Sequence, residues 1–182
     1  MVRFLTKDEA GTGCLGEELS PTEISAMLRQ EIETEGGGLP LRFVTQGPED
    51  TEIVGEALGK LLPGGSVLAY TGDLGAGKTA FTRGLARGLG ITERVTSPTF
   101  NIVNEYEGGR LPLFHFDLYR LGSAEELFDI GWEDYLARNG VCAVEWSENA
   151  QDALEDPLYV ELSRGDSDTQ RVITISQGRG FQ

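Results

Sequence analysis

The sequence predicts an α/β fold, a three-layer α/β/α sandwich around a mixed, mostly parallel central sheet with inserted β-hairpins. Three observations predict it. Residues 66–71 are a short, apolar, partly β-branched run that feeds a glycine-rich turn, and Phe81, Leu85 and Leu89 then recur at spacing four until Gly90 stops the helix. Residues 141–146 are a second apolar run that ends on an acid, Glu145, as a central parallel strand does when it delivers a carboxylate to the C-terminal edge of an open sheet. Paired strand-like runs flank Gly108-Gly109 and the polar stretch 164–170, which is the pattern of β-hairpins.

With 182 residues, 39% of them hydrophobic, the chain can build one core and a short appendage. Residues 1–41 are that appendage. They carry eight acids against three bases, are broken by glycines, and hold one helix over 21–35: Ser20 as N-cap, Pro21 at N1, Glu23 closing a capping box, and Ile24, Met27, Leu28 and Ile32 on one face. Gly36-Gly37-Gly38 then reads as a flexible joint. This helix packs on its own domain or docks a partner, and four apolar residues favour the first reading. Residues 42–182 form the main domain.

That domain opens with a strand over 41–45 and a helix with Pro48 at N1 and Glu49 and Asp50 in its first turn, burying Ile53, Val54, Ala57, Leu58 and Leu61. The turn at 46–51 can lie over a nucleotide base. Pro63-Gly64-Gly65 leads into the strand at 66–71.

The next stretch carries the chemistry. Gly72-Asp73-Leu74-Gly75-Ala76-Gly77-Lys78-Thr79 matches G-x-x-x-x-G-K-[ST] at every fixed position, and Lys78 is one of only three lysines. Such a loop turns its backbone N–H groups inward around phosphate oxygens, and the helix that follows, through Ala80, adds the positive end of its dipole. Lys78 reaches the β- and γ-phosphates and Thr79 ligates Mg²⁺, so the fold class narrows to a P-loop NTPase. Glu145 supplies the acid that such enzymes need in the Mg²⁺ shell.

Between the two anchors, Thr96, Ser97 and Thr99 stand before the first hairpin. They read equally as a loop that closes over a γ-phosphate and as a proline-stabilised turn. In His115-Phe116-Asp117-Leu118-Tyr119-Arg120, alternation puts His115, Asp117 and Tyr119 on one face and Phe114, Phe116 and Leu118 on the other. Asp117 can order an attacking or Mg²⁺-bound water; equally it can pair with Arg120 or cap the helix expected from Ser123, with Glu126 closing its box. His115 reads as a hydrogen-bonded structural histidine, since no nucleophile stands beside it in sequence. Strands near 159–163 and 171–176 close the domain, and 177–182 should fray.

Charge and cysteine usage narrow the class. A net charge of −15 disfavours a broad nucleic-acid footprint, so any role near RNA is indirect. The N-terminus meets charge too early for a signal peptide and no apolar run is long enough to span a membrane; a cytoplasmic protein is expected. Cys14 and Cys142 read as two unrelated reduced thiols.

The order of the phosphate loop, Ser97-Pro98-Thr99-Phe100, the motif from His115 to Leu121 and Glu145-Trp146-Ser147-Glu148 resembles the TsaE (YjeE) family of bacterial ATPases over residues 42–182. The resemblance implies a Mg²⁺-dependent ATPase required for threonylcarbamoyladenosine at position thirty-seven of tRNA, working with TsaD and TsaB and resetting their complex between turnovers. It places Lys78 and Thr79 on phosphate and Mg²⁺, Glu145 on Mg²⁺, and Asp117 and Trp146 in the active-site region. Residues 1–41 have no counterpart in its shorter members. Two alternatives stay open: a P-loop small-molecule kinase with Asp117 as base, and a docking module in which ATP orders a partner surface with negligible turnover. A GTPase is disfavoured, because Asn149-Ala150-Gln151-Asp152 has Ala where a guanine reader needs Lys.

Overall fold

The computed structural model describes residues 1–7, 13–33, 40–98 and 100–177. In chain order its elements are β1 (Val2–Lys7), β2 (Gly13–Leu19), α1 (Pro21–Glu33), β3 (Leu41–Thr45), α2 (Pro48–Gly59), β4 (Val67–Thr71) and α3 (Lys78–Gly88). Then follow β5 (Val103–Tyr106), β6 (Leu113–Asp117), α4 (Ala124–Asp129), α5 (Trp132–Ala137), β7 (Val141–Glu145), a 3-10 segment Ser147–Ala153, β8 (Leu158–Arg164) and β9 (Arg171–Ser176).

Among the described residues, nine strands make one sheet in the order β2-β1-β3-β9-β8-β4-β7-β6-β5. The segment β8-β4-β7-β6 is parallel throughout. The other five pairings are antiparallel. The expectation of a mostly parallel sheet is therefore corrected: the sheet is mixed and antiparallel in most of its pairings, with the parallel part confined to the strands around the phosphate loop. The reason lies in the connections. A parallel neighbour needs a crossover, as the α4–α5 pair supplies between β6 and β7, whereas the short links of β5 to β6 and β8 to β9 force hairpins.

Side-chain alternation divides the core into two clusters, one on each face. Leu68 and Tyr70 of β4 and Val141 and Ala143 of β7 join Val54, Leu58, Phe81 and Leu85 of α2 and α3. On the other face Ala69, Phe114, Phe116, Cys142 and Val144 pack against Leu127, Trp132 and the 3-10 segment. Phe116 meets Trp132 edge-on at 5.2 Å. This face was only partly legible, since α5 and the 3-10 segment carry no sequence signal of their own. Burial of Cys142 pushes its thiol up to about 12, which leaves it an inert core residue. The side chain of Cys14 lies outside the described part.

α2 and α3 meet backbone to backbone. A Cβ on Gly84 would come within 2.0 Å of the Glu52 carbonyl oxygen, and one on Gly55 within 2.2 Å of that of Phe81. Arg87 bridges the same helices, holding Glu52 and Glu56 at 2.9 Å each. α3 is thus fixed to α2 by a close glycine contact.

The N-terminal segment belongs to the same sheet. α1 has the expected capping box, with Ser20 N donating to Glu23 Oε2 at 2.8 Å, and it buries Ile24 and Leu28 completely. Two strands precede it that the sequence did not announce: β1 pairs with β3 on one side and with β2 on the other. Val2 is buried, and the Met1 ammonium pairs with Asp50 at the start of α2. Glycine interruptions in β2 hide the two-residue period by which strands are recognised. The expected Gly36-Gly37-Gly38 joint, the last two residues of the expected helix and the fraying tail beyond Gln177 lie outside the described residues.

Candidate functional site

β4 ends at Thr71 and the chain passes through Gly72, Gly75 and Gly77 at φ of 132°, 78° and 108° before α3 begins at Lys78. These are left-handed conformations that side chains resist, so the glycines let the loop curl with its N–H groups inward. At Gly72 a Cβ would also lie 2.2 Å from the Leu162 carbonyl oxygen. Curl and close packing each require glycine there.

A cleft of about 600 Å³ opens above the loop. It is lined by Leu74, Gly75, Ala76, Gly77, Lys78, Thr79 and Ala80, by Asp117 and Glu145, and by Ser97, Tyr119 and Trp146. Of the described residues expected at the site from sequence, only Gly72 and Asp73 lie off its wall, and the carbonyls of both accept from Lys78. Lys78 is buried and donates to Gly72 O and, at 3.1 Å, to Asp73 O. Thr99 lies outside the described residues, and its neighbour Ser97 lines the cleft.

The two acids are brought together by strand register. Asp117 and Glu145 are paired residues at the C-terminal ends of the parallel strands β6 and β7, and Tyr70 of β4 lies opposite Glu145 on the other side. Asp117 Oδ1 accepts a hydrogen bond from Tyr119 N at 3.0 Å, which holds its carboxylate in a local turn. Arg120 does not pair with it; its guanidinium lies 5.7 Å from the Phe100 ring centroid. Nor does Asp117 cap α4: Ser123 is the N-cap, and no side-chain cap hydrogen bond forms there.

Glu145 has a partner that sequence reasoning did not find. His115 Nε2 stands 2.9 Å from Glu145 Oε1, with the histidine fully buried, and among the described residues His115 Nδ1 has no hydrogen-bond partner. A carboxylate only accepts, so toward an ionised Glu145 it is Nε2 of His115 that donates. The histidine is structural, as expected, but what it structures is the site.

Trp146 follows at φ 56°, ψ 41°, a left-handed conformation that costs a non-glycine residue about 1–2 kcal/mol. The turn swings its indole over the cleft, 4.5 Å from Lys78 Nζ and 5.0 Å from the Tyr119 ring. Ammonium against an aromatic face is attractive. Leu74 of the cleft wall is almost fully exposed, at 84%, and so is Phe100, which lies against Arg120, at 86%.

Among the described residues, no group of three or more His, Cys, Asp or Glu forms a ready-made metal cage. No helix among them is long and apolar enough to cross a membrane.

Residues 45–173 match the sequence model of the threonylcarbamoyl adenosine biosynthesis protein TsaE. The chain belongs to the TsaE family. Among curated relatives, the tRNA threonylcarbamoyladenosine biosynthesis protein TsaE of Bacillus subtilis is 39% identical over 143 residues, covering 78% of this chain and 89% of its own. The Treponema pallidum TsaE is 43% identical over 136 residues, which are 75% of this chain and the whole of that protein. In three dimensions, the crystal structure of Bacillus subtilis YdiB superposes with a TM-score of 0.66 at 38% identity, covering 76% of this chain and 85% of that one. The TsaE match starts within β3, so β1, β2 and α1 lie outside it.

Proposed function

We propose that this TsaE-family chain is a Mg²⁺-dependent ATPase that supports threonylcarbamoyladenosine formation at position thirty-seven of tRNA by acting on a complex of TsaD and TsaB homologues. The observation that carries the reading is the convergence of Lys78, Thr79, Asp117 and Glu145 on one cleft above a phosphate loop.

The donors suit the metal. Mg²⁺ takes hard oxygen ligands and usually keeps waters and substrate phosphates in its shell, so the Thr79 hydroxyl with Glu145, directly or through water, is a sufficient protein contribution. When bound, Mg²⁺ neutralises the charge of the β- and γ-phosphates.

The residues do the rest. Loop N–H groups and the start of α3 receive the phosphates. Lys78 gives up the carbonyls of Gly72 and Asp73 for phosphate oxygens, a stronger charge-assisted interaction. His115 fixes one oxygen of Glu145 and leaves the other for the metal shell. Asp117, turned by its bond from Tyr119 N, orders the attacking water. Trp146 covers Lys78 and shields the site from bulk water, strengthening its electrostatics.

Partner dependence is supported by the apolar rim, because Leu74 and Tyr119 are exposed on the cleft wall where a partner would seal it. The net charge of −15 supports indirect contact with tRNA. The test is ATP hydrolysis by the purified chain with and without TsaB and TsaD, read as phosphate release and as modified tRNA. Turnover absent under both conditions, with ATP still bound, would leave a docking module; phosphate found on a small acceptor would make it a kinase.

A further inference from the structure

Two arginines face each other at the end of the β8–β9 hairpin. Arg164 and Arg171 are direct cross-strand partners, a like-charge pairing that destabilises a sheet. The chain carries only 15 lysines and arginines against 30 acids, so placing two bases in register runs against its own composition.

The two differ in what they hold. Arg171 is spent on backbone: Nη1 donates to the carbonyls of Asp168 and Gln170 at 2.7 Å each, and Nη2 to Gly75 O at 3.1 Å. Its stem lies 3.9 Å from where a Cβ on Gly77 would stand. Arg171 therefore ties the hairpin to the outer side of the phosphate loop. Arg164 is exposed and has no hydrogen bond or ion pair among the described residues, yet its Nη2 lies 3.9 Å from the Cβ position of Gly75, at the crest of the loop. Tethering by Arg171 keeps that uncommitted guanidinium there.

The fold says which part of a ligand it meets. Glu145 and Asp117 stand on β7 and β6, on one side of β4, so the terminal phosphate and its chemistry lie on that side. β8, β9 and β3 lie on the other side, and the nucleoside half of a nucleotide must extend that way. A planar, delocalised cation is suited to that half, because it can stack on a base.

We infer that Arg164 is a nucleotide-binding residue that engages the nucleoside half of the ligand by stacking on its base, while Arg171 positions it by holding the hairpin to Gly75. This rests on the reading of the cleft as a nucleotide site.

The experiment compares binding of ATP and of inorganic tripolyphosphate, by calorimetry in the presence of Mg²⁺, to the full-length wild-type chain and to Arg164→Ala. Arg164 is exposed, so the variant should melt as the wild type does. Arg164→Ala should weaken ATP about 10-fold, the equivalent of one stacked contact, while tripolyphosphate changes by less than about 2-fold. Unchanged ATP affinity overturns the assignment, and so does an equal loss for both ligands, which would reduce Arg164 to a general field on the phosphates. Failure of the folded wild-type chain to bind ATP at all would overturn the nucleotide site itself, a separate outcome.

Discussion

His115 and Glu145 are hydrogen-bonded across the β6–β7 step, thirty positions apart in the chain, with Nε2 at 2.9 Å from Oε1 and both side chains buried. The bond fixes the carboxylate before any ligand arrives. Groups that orient a metal-binding side chain typically matter about 10- to 100-fold. His115→Ala should lower kcat by that range while ATP affinity changes by less than about 3-fold. His115→Gln, which can offer an N–H near the Nε2 position, should recover much of the loss. Equal impairment of both variants at unchanged melting temperature would show that the ring itself, and not the donor, is what the site needs.

Lys78→Ala and Thr79→Ala should abolish productive Mg·ATP binding and leave the fold intact. Lys78 bonds two loop carbonyls and lies against Trp146, so its removal frees local groups without opening the core. Calorimetry for binding and circular dichroism for folding check both halves. Undiminished hydrolysis in either variant removes the residue from the mechanism.

Deleting residues 1–40 should separate stability from binding. The segment buries Val2, Ile24 and Leu28 against the sheet, and each such side chain is worth about 1.5–3 kcal/mol when fully buried. Its loss should lower the melting temperature, by about 2–4 °C for each kcal/mol that the released chain entropy does not offset. Nucleotide affinity should stay within about 3-fold, because the match to the TsaE family model begins at residue 45, after this segment. Loss of binding in a cooperatively melting truncation would make the segment part of the site.

Local patterns carried the parts of this fold that depend on neighbours in sequence. The glycines, Lys78 and Thr79 form one contiguous loop, so their joint geometry was legible, as was the strand that ends at Glu145. Alternation correctly put His115 and Asp117 on one face of β6. What escaped was pairing at a distance. The register that sets Asp117 beside Glu145, the hydrogen bond from His115 and the opposition of Arg164 and Arg171 depend on how crossovers stack the strands, which no local period encodes. Trp146 was expected at the site, but its left-handed backbone was not, since a non-glycine φ of that sign is imposed by packing. The sheet's antiparallel majority was missed for a related reason. β1 and β2 lack the alternation that would have added them, and β3 joins β9 only through tertiary contact.

Gly84→Ala should be among the more damaging small substitutions outside the site. Its new methyl would meet the Glu52 backbone at 2.0 Å, and backbone cannot rotate away as a flexible side chain can. Overpacking of this kind costs about 1–3 kcal/mol, and about 2–4 °C of melting temperature for each. Gly90→Ala is the control. Gly90 has a φ of 82° but its nearest neighbour stands 3.7 Å away, so it carries backbone strain alone, about 1–2 kcal/mol. Thermal melts in which Gly84→Ala proves the milder variant would contradict the close contact of α2 and α3.

Glu145 and Asp117 should act after binding more than during it. Both stand at strand ends above the loop, paired in register, and neither is needed for the loop N–H groups and Lys78 to grip phosphate. Each carboxylate also repels the ligand's charge, so its removal lets ATP affinity hold or rise while turnover falls. The variants Glu145→Ala and Asp117→Asn separate the two effects when ATP binding and partner-stimulated hydrolysis are measured apart. Glu145→Ala also strips His115 of its acceptor and leaves a buried N–H unpaired, which costs about 1–3 kcal/mol, so its melting temperature should drop. Asp117→Asn keeps the oxygen that accepts from Tyr119 N and should melt normally. The expected result is hydrolysis reduced at least about 100-fold in both, with ATP binding within about 3-fold of wild type. Near-normal hydrolysis in both would return the acids to the roles of a strand-end pair and a turn residue. Loss of binding instead would assign them to assembly of the metal site and not to the hydrolytic step.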